Sequence, residues 1–300
     1  MSNVKQSNSL VQEVTRAQWL RRRITLAQPL VLPGAYDAVT SRLVHESGAE
    51  GVYVGGFASI ASSFGLPDVG LVTGSELIGT YRRIKAATDL PMVVDIDTGY
   101  GNAANIRRTV EQVIELGVAG FHIEDQANPK RCGHLQHDPV VPVKEAAARV
   151  ATAIATAERF GVDAPVVIAR TDSLHTEGLD AAIERARVFR SAGADMIFVD
   201  AIPSVDAMKR IRDSVDGPLL FNAATTGRSP SLTVDRLREL GYSTAIYPIE
   251  LLLSALAAGR ATLAQLGTSP NTSQWYQFGD LNALLGLPEV ESWVARFPSE

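Results

Sequence analysis

Residues 119–142, AGFHIEDQANPKRCGHLQHDPVVP, carry a dense set of reactive side chains: a short apolar run ends in acids and passes into a basic loop holding the only cysteine. Ala119–Ile123 is too short for a helix, and Gly, Pro and polar residues follow it, so the stretch predicts a strand running into a loop. Cys132 stands among Lys130, Arg131 and His134. Neighbouring positive charge favours thiolate over thiol and equips such a sulfur for proton transfer or attack. A free cysteine is otherwise commonly a small buried hydrophobe, a role that charged, glycine-flanked surroundings do not suit. A second set of acids lies upstream, where Asp95 and Asp97 close the run Met92–Ile96. Alternation along a strand puts both on one face, and Glu124 in an adjacent strand can reach the same place. Three converging carboxylates repel one another. A Mg²⁺ ion relieves this, taking one or two carboxylates and keeping water and substrate oxygens; ion pairs with Arg170 or Lys130 are the structural alternative.

The elements that must position these residues follow a rhythm. The apolar runs Leu30–Leu32, Val52–Val54, Met92–Ile96, Gly120–Ile123, Val166–Ala169, Met196–Val199, Leu219–Phe221 and Thr244–Tyr247 are each followed by a stretch of helical period. In one such stretch Leu179, Ala182, Ile183, Ala186 and Phe189 form a single stripe, the spacing that buries a helix face. Odd-numbered runs open at Pro29, Pro91, Pro165 and Pro218; even-numbered runs follow Gly48, Gly117, Gly193 and Gly241. Proline is tolerated at the start of a strand and glycine just past the end of a helix, so the alternation punctuates a two-unit module repeated four times. Eight β-α units with near-continuous apolar strands predict an α/β fold, a (β/α)₈ barrel with a parallel sheet, in preference to an open doubly wound sheet. In a barrel the C-terminal strand ends line the site. They supply Tyr53, Gly55, Gly56, Asp95, Asp97, Glu124, Arg170, Asp172, Asp200 and Asn222.

A leading helix is expected over 11–27, the barrel over about 28–262 and a helical tail over about 267–300, all in one domain of 300 residues. That tail carries Trp275, Tyr276, Phe278, Trp293 and Phe297, which must be buried on the chain's own barrel or on a neighbouring subunit. A net charge of −5 without a long basic run argues against nucleic acid or an anionic membrane as partner, and Arg21, Arg22 and Arg23 read as a solvated helix face. One cysteine excludes an internal disulfide, the polar start MSNVKQSNSL is no signal-peptide core, and no stretch reaches membrane-spanning length. A cytoplasmic location is expected. Gly99-Tyr100-Gly101-Asn102-Ala103-Ala104 fits the dinucleotide fingerprint and keeps a hydride-transfer enzyme open as a rival, although Asp95 and Asp97 would repel a pyrophosphate there. Asp68 and His122 are single polar residues that suit structure or function equally, and a non-catalytic scaffold is disfavoured by the acids beside a reactive cysteine.

FGLPDVG, VVDIDTGYGN, GFHIEDQANPKRCGHL and ARTDS together resemble the isocitrate lyase and phosphoenolpyruvate mutase superfamily, its lyase branch above all, across about residues 30–260. The resemblance implies an α/β barrel, a dimer or tetramer with exchanged C-terminal helices, and carbon–carbon cleavage of a 2-hydroxy di- or tricarboxylate. It implies a metal site of Asp95, Asp97 and Glu124 with Asp68 nearby, holding Mg²⁺ or Mn²⁺ in its place. The lid becomes Lys130 to Leu135, with Cys132 as general acid and Lys130 and His134 beside it. Tyr53, Gly55, Gly56, Asp95, Gly133, His134, Arg170 and Asn222 are implied to hold the carboxylic acid substrate, Tyr53 as base and Arg170 as fixed positive charge. The sequence departs from the lyase pattern at Gln136, His137, Asp138, Asp200, Thr225 and Phe57, all on the leaving-group half. These departures point to a leaving group smaller or less charged than succinate. A decarboxylase, a hydrolase of 2-oxo acids and a phosphonate-forming mutase remain as alternatives on the same scaffold.

Overall fold

The structure, a computed structural model, describes residues 14–133, 139–268 and 272–297. His134, Gln136, His137 and Asp138 lie outside them. Eight parallel strands follow the expected runs: β1 (Leu30–Pro33), β2 (Val52–Val54), β3 (Met92–Asp95), β4 (Gly120–Glu124), β5 (Val166–Thr171), β6 (Met196–Val199), β7 (Leu219–Asn222) and β8 (Thr244–Tyr247). Each pairs with its sequence neighbour from β2 through β8, and β8 returns to β1. Between β1 and β2 the ring is nearly closed by a Gly34–Tyr53 bridge, with the Ala35 N–H donating to the Tyr53 carbonyl at 2.9 Å. Gly34 is needed for that approach: a Cβ there would lie 2.6 Å from the Tyr247 and Pro248 carbonyl oxygens.

The helices preceding the barrel and within its first half are α1 (Arg16–Arg23), α2 (Ala38–Glu46), α3 (Gly56–Phe64), α4 (Gly74–Lys85) and α5 (Ala103–Glu115). The second half carries α6 (Val143–Glu158), α7 (Leu179–Ser191), α8 (Val205–Ser214), α9 (Val234–Glu239) and α10 (Glu250–Leu263); α11 (Phe278–Leu284) and α12 (Leu287–Arg296) form the tail. Side-chain alternation divides the buried apolar residues into two cores. Val52, Val54, Val94, Phe121, Ile123, Val167, Ile197 and Phe221 face the helices, while Leu30, Leu32, Val93, Val166, Ile168, Met196, Phe198 and Leu220 fill the barrel interior. Leu20 and Ile24 from the α1 region join the interior set, so this helix plugs one mouth and leaves the strands' C-terminal ends as the open one.

Two expectations change on contact with the structure. Arg23 is not solvated: the residue is 9% exposed, and its guanidinium donates to Glu50 at 2.7 and 2.9 Å and to the Gln28 carbonyl at 2.7 Å. Arg21 is also engaged, at 3.0 Å from Asp195. The leading helix, where described, runs from Arg16 to Arg23, its start fixed by a Thr15–Gln18 capping box, a reciprocal bond that defines a helix N-terminus. The aromatic tail leaves Trp275, Tyr276, Phe278, Trp293 and Phe297 exposed by 41–82%, so its own barrel does not bury it.

Candidate active site

The alternation that fills the barrel interior also selects the side chains at its open end. Below them, Tyr53, His122 and Phe198 form a layer: the Tyr53 hydroxyl lies 2.8 Å from His122 Nε2, and Phe198 meets the His122 ring edge-on. One step further along the strands come Asp95, Glu124, Arg170, Asp200 and Asn222, each 8% exposed or less. Arg170 organises one half. Its guanidinium stacks over Phe198 at 5.1 Å, donates to Asp172 at 2.7 and 2.9 Å and to Asp200 at 2.9 Å, and stands 3.4 Å from Glu124. Asn222 donates in turn to Asp200 at 2.9 Å. The second half surrounds Lys130, whose ammonium pairs with Asp68 at 2.8 Å and with Asp97.

Asp97 differs from expectation in placement. β3 ends at Asp95, and Asp97 adopts the left-handed region at φ 49°, so the two acids do not share a strand face. They are brought together by the turn instead: the Asp97 N–H donates to Asp95 Oδ1 at 2.8 Å, and the Glu124 N–H to the Asp97 carbonyl at 2.9 Å. Gly56 leaves the space between them, since a Cβ there would lie 3.3 Å from Asp95 Oδ2, 3.6 Å from Asp97 Oδ1 and 3.7 Å from Lys130 Nζ. Gly55 precedes it as the N-cap of α3.

Electrostatics follow from this burial. Asp97 is pushed up to about 6, chiefly by burial, with Asp95 and Asp68 adding to the rise and Lys130 pulling against it. Glu124 is raised well above the usual carboxylate range, again by burial first, against the pull of Arg170. Lys130 stays firmly cationic, because Asp97, Glu124, Asp68 and Asp95 outweigh the burial that would neutralise it. Burial keeps the Tyr53 phenol protonated and the His122 ring neutral. Among the described residues no three His, Cys, Asp or Glu side chains stand ready as a metal cage; lysine and arginine are interleaved with the acids. Yet Glu124 Oε1 is a buried oxygen without a hydrogen bond, and Asp68 Oδ1 and Asp97 Oδ1 meet the Lys130 ammonium. Carboxylate oxygens around a space left by glycine, with an unused lone pair on Glu124, fit a hard divalent cation.

A cavity of about 380 Å³ opens on this layer, lined by Tyr53, Gly55, Gly56, Asp68, Asp95, Glu124, Lys130, Cys132, Arg170, Asp200 and Asn222. Cys132 is half-buried and its N–H donates to the Asp68 carbonyl at 3.1 Å, which ties the start of the lid to the acid cluster. Gly133 packs closely on Arg170: a Cβ would stand 3.0 Å from Nη2, 2.7 Å from Asp200 Oδ2 and against Asp172. The predicted site residues within the described regions therefore converge. Thr225 does not line the cavity; its N–H and hydroxyl donate to Glu250 at 2.9 and 2.5 Å. Sequence reasoning passed over Pro248, Ile249 and Leu253, which complete an apolar wall with Phe57. They follow the eighth strand, the position where barrel sites are built, and that position was the available signal. The dinucleotide reading loses its anion site, because Asn102 accepts the Ala104 and Asn105 N–H bonds at the start of α5.

Comparison with known proteins agrees with this architecture. The family model of phosphoenolpyruvate phosphomutase matches residues 20–267. Probable 2-methylisocitrate lyase 2 of Corynebacterium glutamicum is 39% identical over 89% of this chain and 86% of its own. Oxaloacetate acetylhydrolase bound to the inhibitor 3,3-difluorooxalacetate superposes with a TM-score of 0.89 at 32% identity, over 96% of this chain and 98% of that one. The crystal structure of 2,3-dimethylmalate lyase, a PEP mutase/isocitrate lyase superfamily member, gives 0.88 at 34% identity over 95% and 96% of the two chains. The chain thus belongs to the phosphoenolpyruvate phosphomutase family within the PEP mutase/isocitrate lyase superfamily, and its methylisocitrate lyase and dimethylmalate lyase relatives place it among that superfamily's carbon–carbon lyases.

Proposed function

We propose that this chain cleaves the carbon–carbon bond of a 2-hydroxy dicarboxylate bearing an alkyl substituent, releasing a 2-oxo acid and a carboxylate. The observation that carries the reading is a single cavity shared by Cys132, Tyr53, Arg170 and the acids Asp95 and Glu124. Asp95, Asp97, Glu124 and Asp68 are the side chains that would hold Mg²⁺, directly or through water. When bound, Mg²⁺ supplies Lewis-acid stabilisation of oxyanions. Tyr53 takes the substrate hydroxyl proton while passing its own to His122 Nε2, 2.8 Å away. The electrons of that O–H bond form the new carbonyl, the carbon–carbon bond breaks, and its electron pair is delocalised into the adjoining carboxylate. The Cys132 thiol returns a proton to the carbon so released. Arg170, held by Asp172 and Asp200, keeps a fixed positive charge beside the developing negative one.

The leaving-group half favours an alkyl group over a distal carboxylate. Phe57, Pro248, Ile249 and Leu253 present carbon to the cavity, which Arg131 and Arg228 also line, and a carboxylate set against the carbon and away from those guanidinium groups would lose its hydration without a partner. A Mg²⁺-dependent screen of alkyl-substituted malates, methylisocitrate and oxaloacetate, following 2-oxo acid and oxalate release, tests the reading. Substituted malates are expected to react fastest. Efficient methylisocitrate cleavage would overturn the substrate assignment, and oxalate release from oxaloacetate with inert malates would replace the lyase by a hydrolase, the activity of the acetylhydrolase that this chain resembles.

A further inference from the structure

We propose that Tyr100 is a positioning residue that holds Asp97 ready for a divalent cation, an inference that rests on the metal reading above. The Tyr100 hydroxyl donates to Asp97 Oδ2 at 2.7 Å. Oδ1 of the same carboxylate is buried and faces the Lys130 ammonium within the acid cluster. One lone-pair side of Asp97 is thereby committed, and the other is presented to the cluster. Hydrogen bonds from outside a metal's own ligands orient those ligands in this way.

The backbone shows how firmly the arrangement is imposed. Asp97 at φ 49° and Tyr100 at φ 63° are both in the left-handed region, which side chains other than glycine rarely adopt. Gly99 and Gly101 flank Tyr100 at φ 82° and 144°. Two strained residues, one donating to the other, mark a turn held by its surroundings for what it presents. Gly74 at the start of α4 lies flat against the tyrosine ring: a Cβ would come within 2.6–2.9 Å of three of its carbons. The ring is therefore gripped from above, and the hydroxyl has a fixed target. Asp97 and Tyr100 both border a second cavity of about 570 Å³, lined also by Gly70, Thr73, Thr98 and Lys130, so there is space beside the carboxylate into which it could turn without the hydroxyl.

Tyr100→Phe keeps the ring and its packing while removing the hydroxyl. Calorimetric titration of the full-length protein with MgCl₂ is expected to show an affinity roughly 10–100-fold weaker than wild type, the size of effect seen when such outer partners are lost. The metal-free melting temperature should be unchanged, and at saturating Mg²⁺ both kcat and substrate KM should return to near wild-type values. A purely structural defect would not be rescued by the ion. Asp97→Asn and the double variant complete a cycle in which adding Tyr100→Phe weakens binding no further. Equal Mg²⁺ affinity in Tyr100→Phe and wild type, or additive losses in the cycle, would overturn the positioning role alone. Absence of any Mg²⁺ heat in the wild type would remove the metal reading and this inference together.

Discussion

Cys132 occupies a mixed environment: its backbone is tied to the Asp68 carbonyl, its side chain lines the cavity, and the next residue packs against Arg170. That geometry delivers a thiol to the mouth of a site whose floor is already fixed. A positioned general acid is worth roughly 10²–10⁴-fold in rate, and a serine hydroxyl is a far weaker acid at the same place. Cys132→Ser is therefore expected to lose cleavage by about that factor, while Mg²⁺ affinity stays at the wild-type value because the acids are untouched. Retention of most of the rate in single-turnover measurements would assign the protonation to another group. The floor itself depends on paired opposites. Lys130 and Arg170 sit among Asp68, Asp97, Glu124, Asp172 and Asp200, so the acids are not the bare cluster that strand-end positions alone imply. Spacing along a strand reveals which residues face one mouth. The ion pairs with Lys130 and Arg170, weighed from the sequence as the structural alternative, form among those same acids.

The elements explain why the site was partly legible. Proline and glycine punctuation marked all eight strands, and residues at their C-terminal ends, Asp95, Glu124, Arg170 and Asn222, form the floor. What escaped was set by the turns. Asp97 leaves the strand through a left-handed residue, and Ile249 and Leu253 are apolar, so they read as an ordinary buried helix stripe, not as cavity wall. Arg185 on α7 was equally silent, one arginine in a helical pattern. It is 5% exposed and donates to Glu177 at 2.8 Å and to the Val141 carbonyl at 2.8 Å, with Asp125 at 3.4 Å. Asp125 accepts from the Thr171 hydroxyl and the Asp172 N–H at 2.7 and 2.9 Å. The far stem of the lid, the end of β4 and the loop behind Arg170 thus meet on one buried ion pair. Breaking such a pair costs about 3–5 kcal/mol, because the remaining charge stays buried. Arg185→Ala is expected to lose stability on that scale in urea unfolding, with Mg²⁺ affinity preserved. A loss below about 1 kcal/mol, the range of exposed pairs, would show that the network is not held by Arg185.

At the scale of the whole molecule the barrel is complete without its tail. No helix is long and apolar enough to cross a membrane among the described residues, yet α11 and α12 expose Phe278 by 82%, Trp293 by 57%, Val294 by 64% and Phe297 by 61%. The tail touches the chain's own body at α2, with ties such as Arg42 to the Leu284 carbonyl at 3.1 Å and Tyr276 to Glu46 at 3.4 Å. The outer face of α10 is also apolar, with Leu256 and Leu263 exposed by 61% and 70%. Aromatic and aliphatic faces of this kind are enriched in subunit interfaces and rare on solvated ends. Two such faces on one chain suit a second copy, each tail covering its partner's α10 beside the Leu253 wall. Truncation at Pro270 is accordingly expected to lower the mass measured by light scattering and to expose the alkyl half of the cavity, raising KM for substituted malates more than it lowers kcat. Mg²⁺ affinity should stay constant, since the acids lie on the barrel's own strands. A truncated protein of unchanged oligomeric mass and full activity would refute the exchange of tails.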